Sequence, residues 1–457
     1  MYCYSSPCHH IRSFWRSFRR LGPHLSSSPE IWYRVCFGGM RSGSVSVSKQ
    51  GYSNLSSGLD TNCSQIGHAT PSHSNLGLFP ENEGTVLKEM SDNRDMPDNL
   101  VKLRKNISNL NLSNDHVMLI DGTSVMFRSY YKIIAMLHRG KLENADGNGD
   151  WVLTIFRALS SLIEVLEFNP SHVAVVFDHD GVPYGQTSPK PSKECYMAKG
   201  LTFRHNLYPL YKGNRNPTPD TVVQGLQYLK ASIKAMSINV IEVPGVEADD
   251  VIGTLAVNCI AAGYKVQVVS PDKDFFQILS PSLRLLRLAP RGSEMVSFGI
   301  ENFVERYGDL KPSQFVDLIS LVGDKSDNIP GVNGIGEVNA VKLIAKFGSL
   351  ENLLQCIDEV EEDRIKKALI SDADTALLSK ELATLRCDLP SYMVPCKADD
   401  LVFGKPKDNG EKFMKLMRAI GAYAEGFSAE PIIGRVLNLW ERLEDRRNRW
   451  EMQQTKL

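Results

Sequence analysis

The chain has 457 residues, 42% hydrophobic and 23% charged, the balance of a globular protein with a sizeable core and not of a disordered or fibrous chain. Its formal net charge is −1, so any affinity for nucleic acid has to come from a local basic patch. The nine cysteines are scattered without a C-x-x-C pair, which argues against a structural zinc site or disulfide framework and for a reducing compartment. No run reaches the roughly 18 apolar residues of a membrane-spanning helix.

Residues 1–50 carry Arg12, Arg16, Arg19, Arg20, Arg34 and Arg41 among many serines with one acid, Glu30. With Phe14, Trp15 and Phe18 able to form an apolar face, this composition predicts an organellar transit peptide. Residues 51–114, rich in Ser, Asn, Gly and Asp, read as a disordered linker. At His116 the pattern changes. The apolar run 117–120 ends in Asp121-Gly122 and predicts a buried strand that delivers an acid at its C-terminal end, followed by a helix. An amphipathic segment over 151–167 leads to a second such run, 173–177, ending at Asp178.

The segment 203–215 interleaves cations and aromatics, Arg204, His205, Tyr208, Tyr211, Lys212 and Arg215 among them, a pattern suited to holding phosphate and stacking on bases. Glu247-Ala248-Asp249-Asp250 opens another amphipathic stretch. The spacing predicts Glu247 and Asp250 on one helix face, with Asp249 approaching from the helix start. The run 266–269 then leads into Asp272-Lys273-Asp274. Strands alternating with helices predict an α/β domain over 115–311, with a mainly parallel central sheet flanked by helices and ligands bound at the carboxyl ends of its strands.

Over 312–395 helices dominate and predict a smaller helical subdomain. Asp324 and Asp327 stand in a turn-like Gly323-Asp324-Lys325-Ser326-Asp327-Asn328, followed at once by the glycine-rich 329–336 and a helical run over 338–347. This is the pattern of a helix-hairpin-helix, whose exposed backbone N–H groups grip phosphates without reading bases. Residues 396–457 form a C-terminal extension whose tail, with Trp440 and Trp450 among alternating charges, reads as a structural or solvated helix.

A lone strand-end aspartate is ordinarily a turn former or helix cap. A set converging on one place repels itself unless a cation neutralises it, and hard oxygen ligands imply magnesium or manganese. Such a cluster holds two ions about 4 Å apart for in-line attack on a phosphodiester.

Together, Gly245-Val246-Glu247-Ala248-Asp249-Asp250, Asp272-Lys273-Asp274, 323–332 and the hairpin glycines resemble the 5′-nuclease family that includes the amino-terminal domain of bacterial DNA polymerase I, bacteriophage 5′ nucleases and flap endonucleases, here in a plant-type organellar form. The likeness covers roughly 115–395 and implies a PIN-like fold. It implies that Asp121, Asp178, Glu247, Asp249, Asp250, Asp272, Asp274, Asp324 and Asp327 surround two Mg2+ ions, with Mn2+ as a substitute. It also implies that Arg204, Tyr211, Lys212 and Arg215 form the basic motif at the scissile phosphate, with Lys212 the main electrostatic catalyst. Gly331, Gly334, Ile335, Gly336 and Lys342 are then the duplex-binding hairpin residues, with K+ bound there.

One departure is the stretch 181–200, longer than the family's connection and read as an inert surface loop. Another is the chain's end at Leu457, which leaves no room for a polymerase domain and predicts a stand-alone nuclease. The resulting expectation is a metal-dependent 5′-3′ exonuclease and 5′ flap endonuclease acting on DNA, and on RNA–DNA hybrids, in replication and repair within a mitochondrion or chloroplast. A non-catalytic branched-DNA-binding protein would have lost several of the acids, and none of the expected positions is lost. A ribonuclease on a related acid-lined domain would generally lack the hairpin.

Overall fold

A computed structural model describes residues 116–139, 149–179, 202–288, 295–394, 396–424 and 427–454. The expected transit peptide, linker and 181–200 loop lie outside the described residues. The first unit contains β1 (His116–Asp121), α1 (Gly122–His138), α2 (Gly149–Leu166), β2 (His172–Phe177), α3 (Phe203–Leu207), α4 (Asp220–Ala235), β3 (Asn239–Glu242), α5 (Ala248–Ala261), β4 (Lys265–Val269), β5 (Leu283–Leu288), β6 (Met295–Phe298) and α6 (Ile300–Tyr307).

The strands form one sheet in the order β3-β2-β1-β4-β5-β6. All neighbours are parallel except β5 and β6. β1 and β2 are buried nearly throughout, which is why they read as continuous apolar runs and not as alternating ones. The chain runs outward from β1 to β2 and β3, then returns to the other side of β1 with β4. A crevice therefore opens between β1 and β4 at the carboxyl ends, the usual place for a ligand in such a sheet. The register pairs Ile120 with Val269, so Asp121 and Ser270 leave the sheet side by side. Gly122 permits this exit, since a Cβ there would lie 2.4 Å from the Phe177 ring.

Two cores flank the sheet. On one face Val117, Leu119, Val266 and Val268 pack with α5 and the helical subdomain, which comprises α7 (Phe315–Val322), α8 (Glu337–Phe347), α9 (Leu350–Gln355), α10 (Asp363–Ser371) and α11 (Ala373–Ala383). On the other face Met118, Ile120, Val173 and Val175 pack with α1, α2 and α4, and with α12 (Glu411–Gly421) and α13 (Glu430–Gln454). The tail is structural: Trp440 is wholly buried. Gly410, at φ +81°, lets the ring approach so closely that a Cβ would lie 2.1 Å from it. No described helix is long and apolar enough to cross a membrane, and the described cysteines, Cys259, Cys356, Cys387 and Cys396, are free thiols.

Candidate active site

The acids at the strand ends are held by short local bonds. Asp121, 4% exposed, caps α1 by accepting from the Ser124 N–H at 2.9 Å, and its other oxygen accepts from Ser270 Oγ at 3.0 Å. Ser270 also accepts from the Asp272 N–H at 3.2 Å, and Asp272 in turn accepts from the Asp274 N–H at 2.9 Å. Asp178 sits just past β2. Its N–H donates to Thr123 Oγ1, and its Oδ1 accepts from the Ala248 N–H at 2.9 Å, at the first turn of α5 where an anion is favoured. That turn also carries Asp249, which is half-buried.

These carboxylates perturb one another. Burial, reinforced by the charge of Asp178 and opposed by the Ser124 and Ser270 bonds, pushes the Asp121 carboxyl up to about 6. Burial and then Asp121 and Asp272 raise Asp249 well above the usual range. Burial raises Asp272 and Asp274 as well, with Asp327 and Asp324 adding to both and Asp272 to Asp274. Residues from β1, α5 and the segment after β4 thus share one crowded electrostatic neighbourhood.

Beside it stands a second cluster whose charges are already matched. Lys212 Nζ lies 2.8 Å from Glu247 Oε2 and 3.6 Å from Asp327 Oδ2. The Tyr211 hydroxyl lies between the same two oxygens, at 3.2 and 3.1 Å. Arg215 pairs with the other oxygen of Asp327. Burial opposes the charge on Lys212, but Asp327 and Glu247 outweigh it and hold its pKa well above the ordinary value. Against burial, Lys212 and Arg215 bring Asp327 down to about 2. Three bonds to backbone carbonyls tie the two loops together: the Lys212 N–H donates to Asp327 O at 2.9 Å, the Asn214 side-chain amide to Lys325 O at 2.7 Å and the Asn328 side-chain amide to Leu210 O at 2.7 Å. Asp324 is matched separately, by Lys273 at 3.3 Å.

Several expected roles change on this geometry. Glu247 is the N-cap of α5 and not a helical residue. The two acids expected on one face, Glu247 and Asp250, turn to the basic cluster, and Asp249 is the one that faces the other acids. Asp250, 1% exposed, accepts two bonds from Arg204, at 2.7 and 2.8 Å, and one from the Arg386 N–H at 3.0 Å. The buried Arg204 cation already matches its charge through both oxygens, so Asp250 is corrected from a metal ligand to a structural partner. Arg204, 4% exposed, spends its remaining donors on Leu382 O and Thr384 O. It is corrected from a phosphate contact to a buried strut, and Tyr211, equally buried, holds Glu247 and Asp327 apart from solvent. Ser270 and Thr202 (a donor to Glu247 at 3.3 Å) escaped sequence reading, and Lys273 was read as part of the Asp272-Lys273-Asp274 motif but given no role. Of these only Lys273, between two of the acids, carried a signal.

Among the described residues no three His, Cys, Asp or Glu side chains converge as a ready-made cation site. The acids nonetheless fit a hard divalent cation: Asp121, Asp178, Asp249, Asp272 and Asp274 offer only oxygen, and a cation would offset the burial and the crowding of negative charge that raise Asp121, Asp249, Asp272 and Asp274. Glu247, Asp324 and Asp327 already have protein cations.

The hairpin between α7 and α8 lies next to the basic cluster. Residues 324–329 close a small turn through reciprocal bonds between Asp324 and Ile329, at 3.0 and 2.7 Å. Gly331 is required by its approach to Gly323, where a Cβ would lie 2.4 Å from the Gly323 nitrogen. Its N–H donates to Ser379 Oγ at 3.1 Å, and Ile335 is buried with its N–H on Val332 O. Those two residues are therefore corrected from DNA contacts to supports. Gly334, Gly336 and Lys342 are exposed. The Arg364 guanidinium, which sequence reading missed, lies over Gly334, with Nη2 3.3 Å from where a Cβ would be.

A parallel sheet with acids at its carboxyl edge, joined to a helix-hairpin-helix, defines a class, and sequence comparison agrees. Residues 116–308 match the family described as 5′-3′ exonuclease, N-terminal resolvase-like domain, and 310–409 match 5′-3′ exonuclease, C-terminal SAM fold. The chain belongs to the 5′-3′ exonuclease family. Its relatives include DNA polymerase I of Bacillus caldotenax, 35% identical over 305 residues covering 67% of this chain and 31% of that protein. DNA polymerase I of Geobacillus stearothermophilus is 37% identical over 306 residues, with 67% and 31% covered. This chain thus spans about a third of the length of the polymerases it matches. Among solved structures it is similar to the T5 D15 protein co-crystallized with metal ions (18% identity, 66% of this chain and 99% of that one, TM-score 0.46). It is also similar to the catalytic core of Rad2 in complex with DNA substrate (16%, 71% and 92%, TM-score 0.44).

Proposed function

We propose that this chain is a magnesium-dependent nuclease that hydrolyses DNA phosphodiesters from 5′ ends and at the base of 5′ flaps, leaving a 5′-phosphate and a 3′-hydroxyl. The observation that carries this reading is the juxtaposition of a crowded acid cluster with Lys212 and Arg215, beside a hairpin that presents exposed glycines. Asp121, Asp178, Asp249, Asp272 and Asp274 are the residues that would hold magnesium, or manganese in its place. When bound, the metal supplies the Lewis acidity that in-line phosphodiester hydrolysis needs. Lys212 and Arg215 exchange their carboxylate partners for the scissile phosphate and stabilise its developing charge. Gly334 and Gly336 bring backbone N–H groups to the duplex phosphates, which grips without reading sequence, and potassium is the ion proposed there. Tyr211 and Thr202 keep Glu247 in place while Lys212 moves.

RNA–DNA hybrids are proposed as further substrates, since phosphate-centred contacts do not select the sugar. The arginine-rich first fifty residues support a mitochondrial or chloroplast location and a role in organellar replication and repair. A fluorescent fusion of residues 1–114 that stayed in the cytosol would overturn that placement. For the chemistry, the full chain is incubated with a 5′-labelled flap duplex in magnesium, in EDTA and as Lys212→Ala. Magnesium-dependent cutting near the junction that weakens in the variant is the expected result. Binding without cutting in any metal would replace this reading with a non-catalytic branched-DNA binder, and cutting confined to RNA would replace it with a ribonuclease.

A further inference from the structure

α11 and the residues that flank it bond to both halves of the machinery. At its start the cap residue Asp372 accepts from the Asn333 N–H at 3.0 Å. Two turns on, Ser379, wholly buried, accepts from the Gly331 N–H at 3.1 Å while donating to Thr375 O at 2.7 Å. Both acceptors bind the hairpin. At the other end the last carbonyls of a helix have no intrahelical donor, and here active-site elements supply one. Leu382 O and Thr384 O accept from Arg204 at 2.9 and 2.8 Å. Gln277 donates to Ala383 O at 2.8 Å and accepts from the Leu385 N–H at 3.1 Å. The Arg386 N–H donates to Asp250 at 3.0 Å.

Each of those partners belongs to an element that carries the chemistry. Gln277 lies in the 3-10 turn that begins at Asp274, Asp250 follows Asp249 on α5, and Arg204 precedes the loop of Lys212. Residues 372–386 therefore form a bridge with the hairpin bonded to one end and the catalytic elements to the other. Eleven helical steps span about 17 Å, roughly half a turn of B-form duplex. The Asn333–Asp372 bond is exposed, but the Gly331–Ser379 bond at the same end and the bonds at the other end are buried or partly so, and breaking one of these leaves an unsatisfied polar group, which makes sliding at either end unfavourable.

We infer that α11 acts as a ruler: it fixes the distance between the duplex phosphates held by the hairpin and the phosphate at the acids, and so selects which phosphodiester is cut. Ser379 and Gln277 are the positioning residues at its two ends. The inference rests on the nuclease reading above. The test maps products from a 5′-labelled flap duplex at single-nucleotide resolution, using the full chain as wild type, Ser379→Ala, Gln277→Leu and Lys212→Ala, with duplex affinity measured in parallel. Misplacement by an ångström costs up to about a hundredfold in rate, so cutting at the wild-type bond should fall by about tenfold in either end variant while neighbouring bonds gain.

Lys212→Ala should slow cutting without moving it. Gln277→Asn, which keeps the amide but shortens its reach, serves if Gln277→Leu does not fold. End variants that cut only the wild-type bond, at whatever rate, would overturn the ruler and leave the nuclease reading standing. A wild-type chain that cuts nothing would overturn both.

Discussion

The two halves of the site are built from the same residue types and behave as opposites. In the acid half, Asp121, Asp249, Asp272 and Asp274 are raised first by burial and then by neighbouring carboxylates. In the basic half, Glu247 and Asp327 are lowered because Lys212, with Arg204 at Glu247 and Arg215 at Asp327, outweighs the cost of burial. A carboxylate's neighbours, more than its presence in a motif, decide whether it has a vacancy for a metal ion. The adjacent pair Asp249 and Asp250 divides between the two halves.

The sharpest way to break this comparison is to neutralise one acid in each half. Asp274→Asn should reduce cleavage by about a thousandfold, the scale of losing a principal source of charge stabilisation. It should also raise the melting temperature of the metal-free protein, because a repelling charge is gone. Asp250→Asn should do the reverse to stability, since it removes the paired carboxylate of the buried Arg204 and leaves only Glu247, 3.5 Å away, as a counter-charge, at a cost of up to about 3 to 5 kcal/mol. Denaturant titration of both variants decides the matter, and a stabilised Asp250→Asn would sink the division into halves.

Lys212→Ala should lower the rate by about a hundredfold with little change in duplex affinity, checked by single-turnover cleavage beside a binding isotherm. The pH response should differ in sign between the halves. The Asp121 pKa in the folded state, about 6, lies above the unfolded value of about 3.9. Its contribution is therefore full below pH 4 and is lost as pH rises through 6. Asp327, at about 2 when folded, contributes above pH 4 and loses that contribution as pH falls towards 2. In calorimetry without divalent ions, Asp121→Asn should gain on the wild type between pH 4 and 6, and magnesium at pH 7 should narrow the gap. The smallest effect belongs to Arg364→Ala, which should weaken duplex binding a few-fold and lower its salt dependence by about one phosphate contact.

The sheet and its acids were legible because a buried parallel strand leaves a continuous apolar run, and the residue after it stands at the carboxyl edge whatever else the chain does. The division of Asp249 from Asp250 was not. It turns on Glu247 being the cap and not the first helical residue, and one residue of phase rotates a side chain by about 100°. Arg204 looked like a phosphate ligand because cations among aromatics do bind nucleic acid, whereas its partners, the Asp250 carboxylate and two backbone carbonyls far along the chain, leave no trace in its own segment. Gly331 was read as a close approach to DNA. The close approach is real, but it is to Gly323. Lys212, the hairpin and the acid cluster were expected from the motifs, while the buried groups joining them, Ser270, Gln277 and Ser379, are ordinary residues whose importance lies only in what they touch.

The packing of Trp440 beside Gly410 bears on how the protein is made. Met118, in the first described strand, and Trp440, in the last described helix, belong to one apolar cluster. The outward faces of α2 and α4, on which α13 and α12 pack, therefore stay uncovered until synthesis has passed Trp440. Closures between such distant parts of a chain are slow. During that interval the nascent catalytic unit exposes an apolar surface, which makes it a client for chaperones, and a ribosome that stalls before α13 releases a product prone to aggregate.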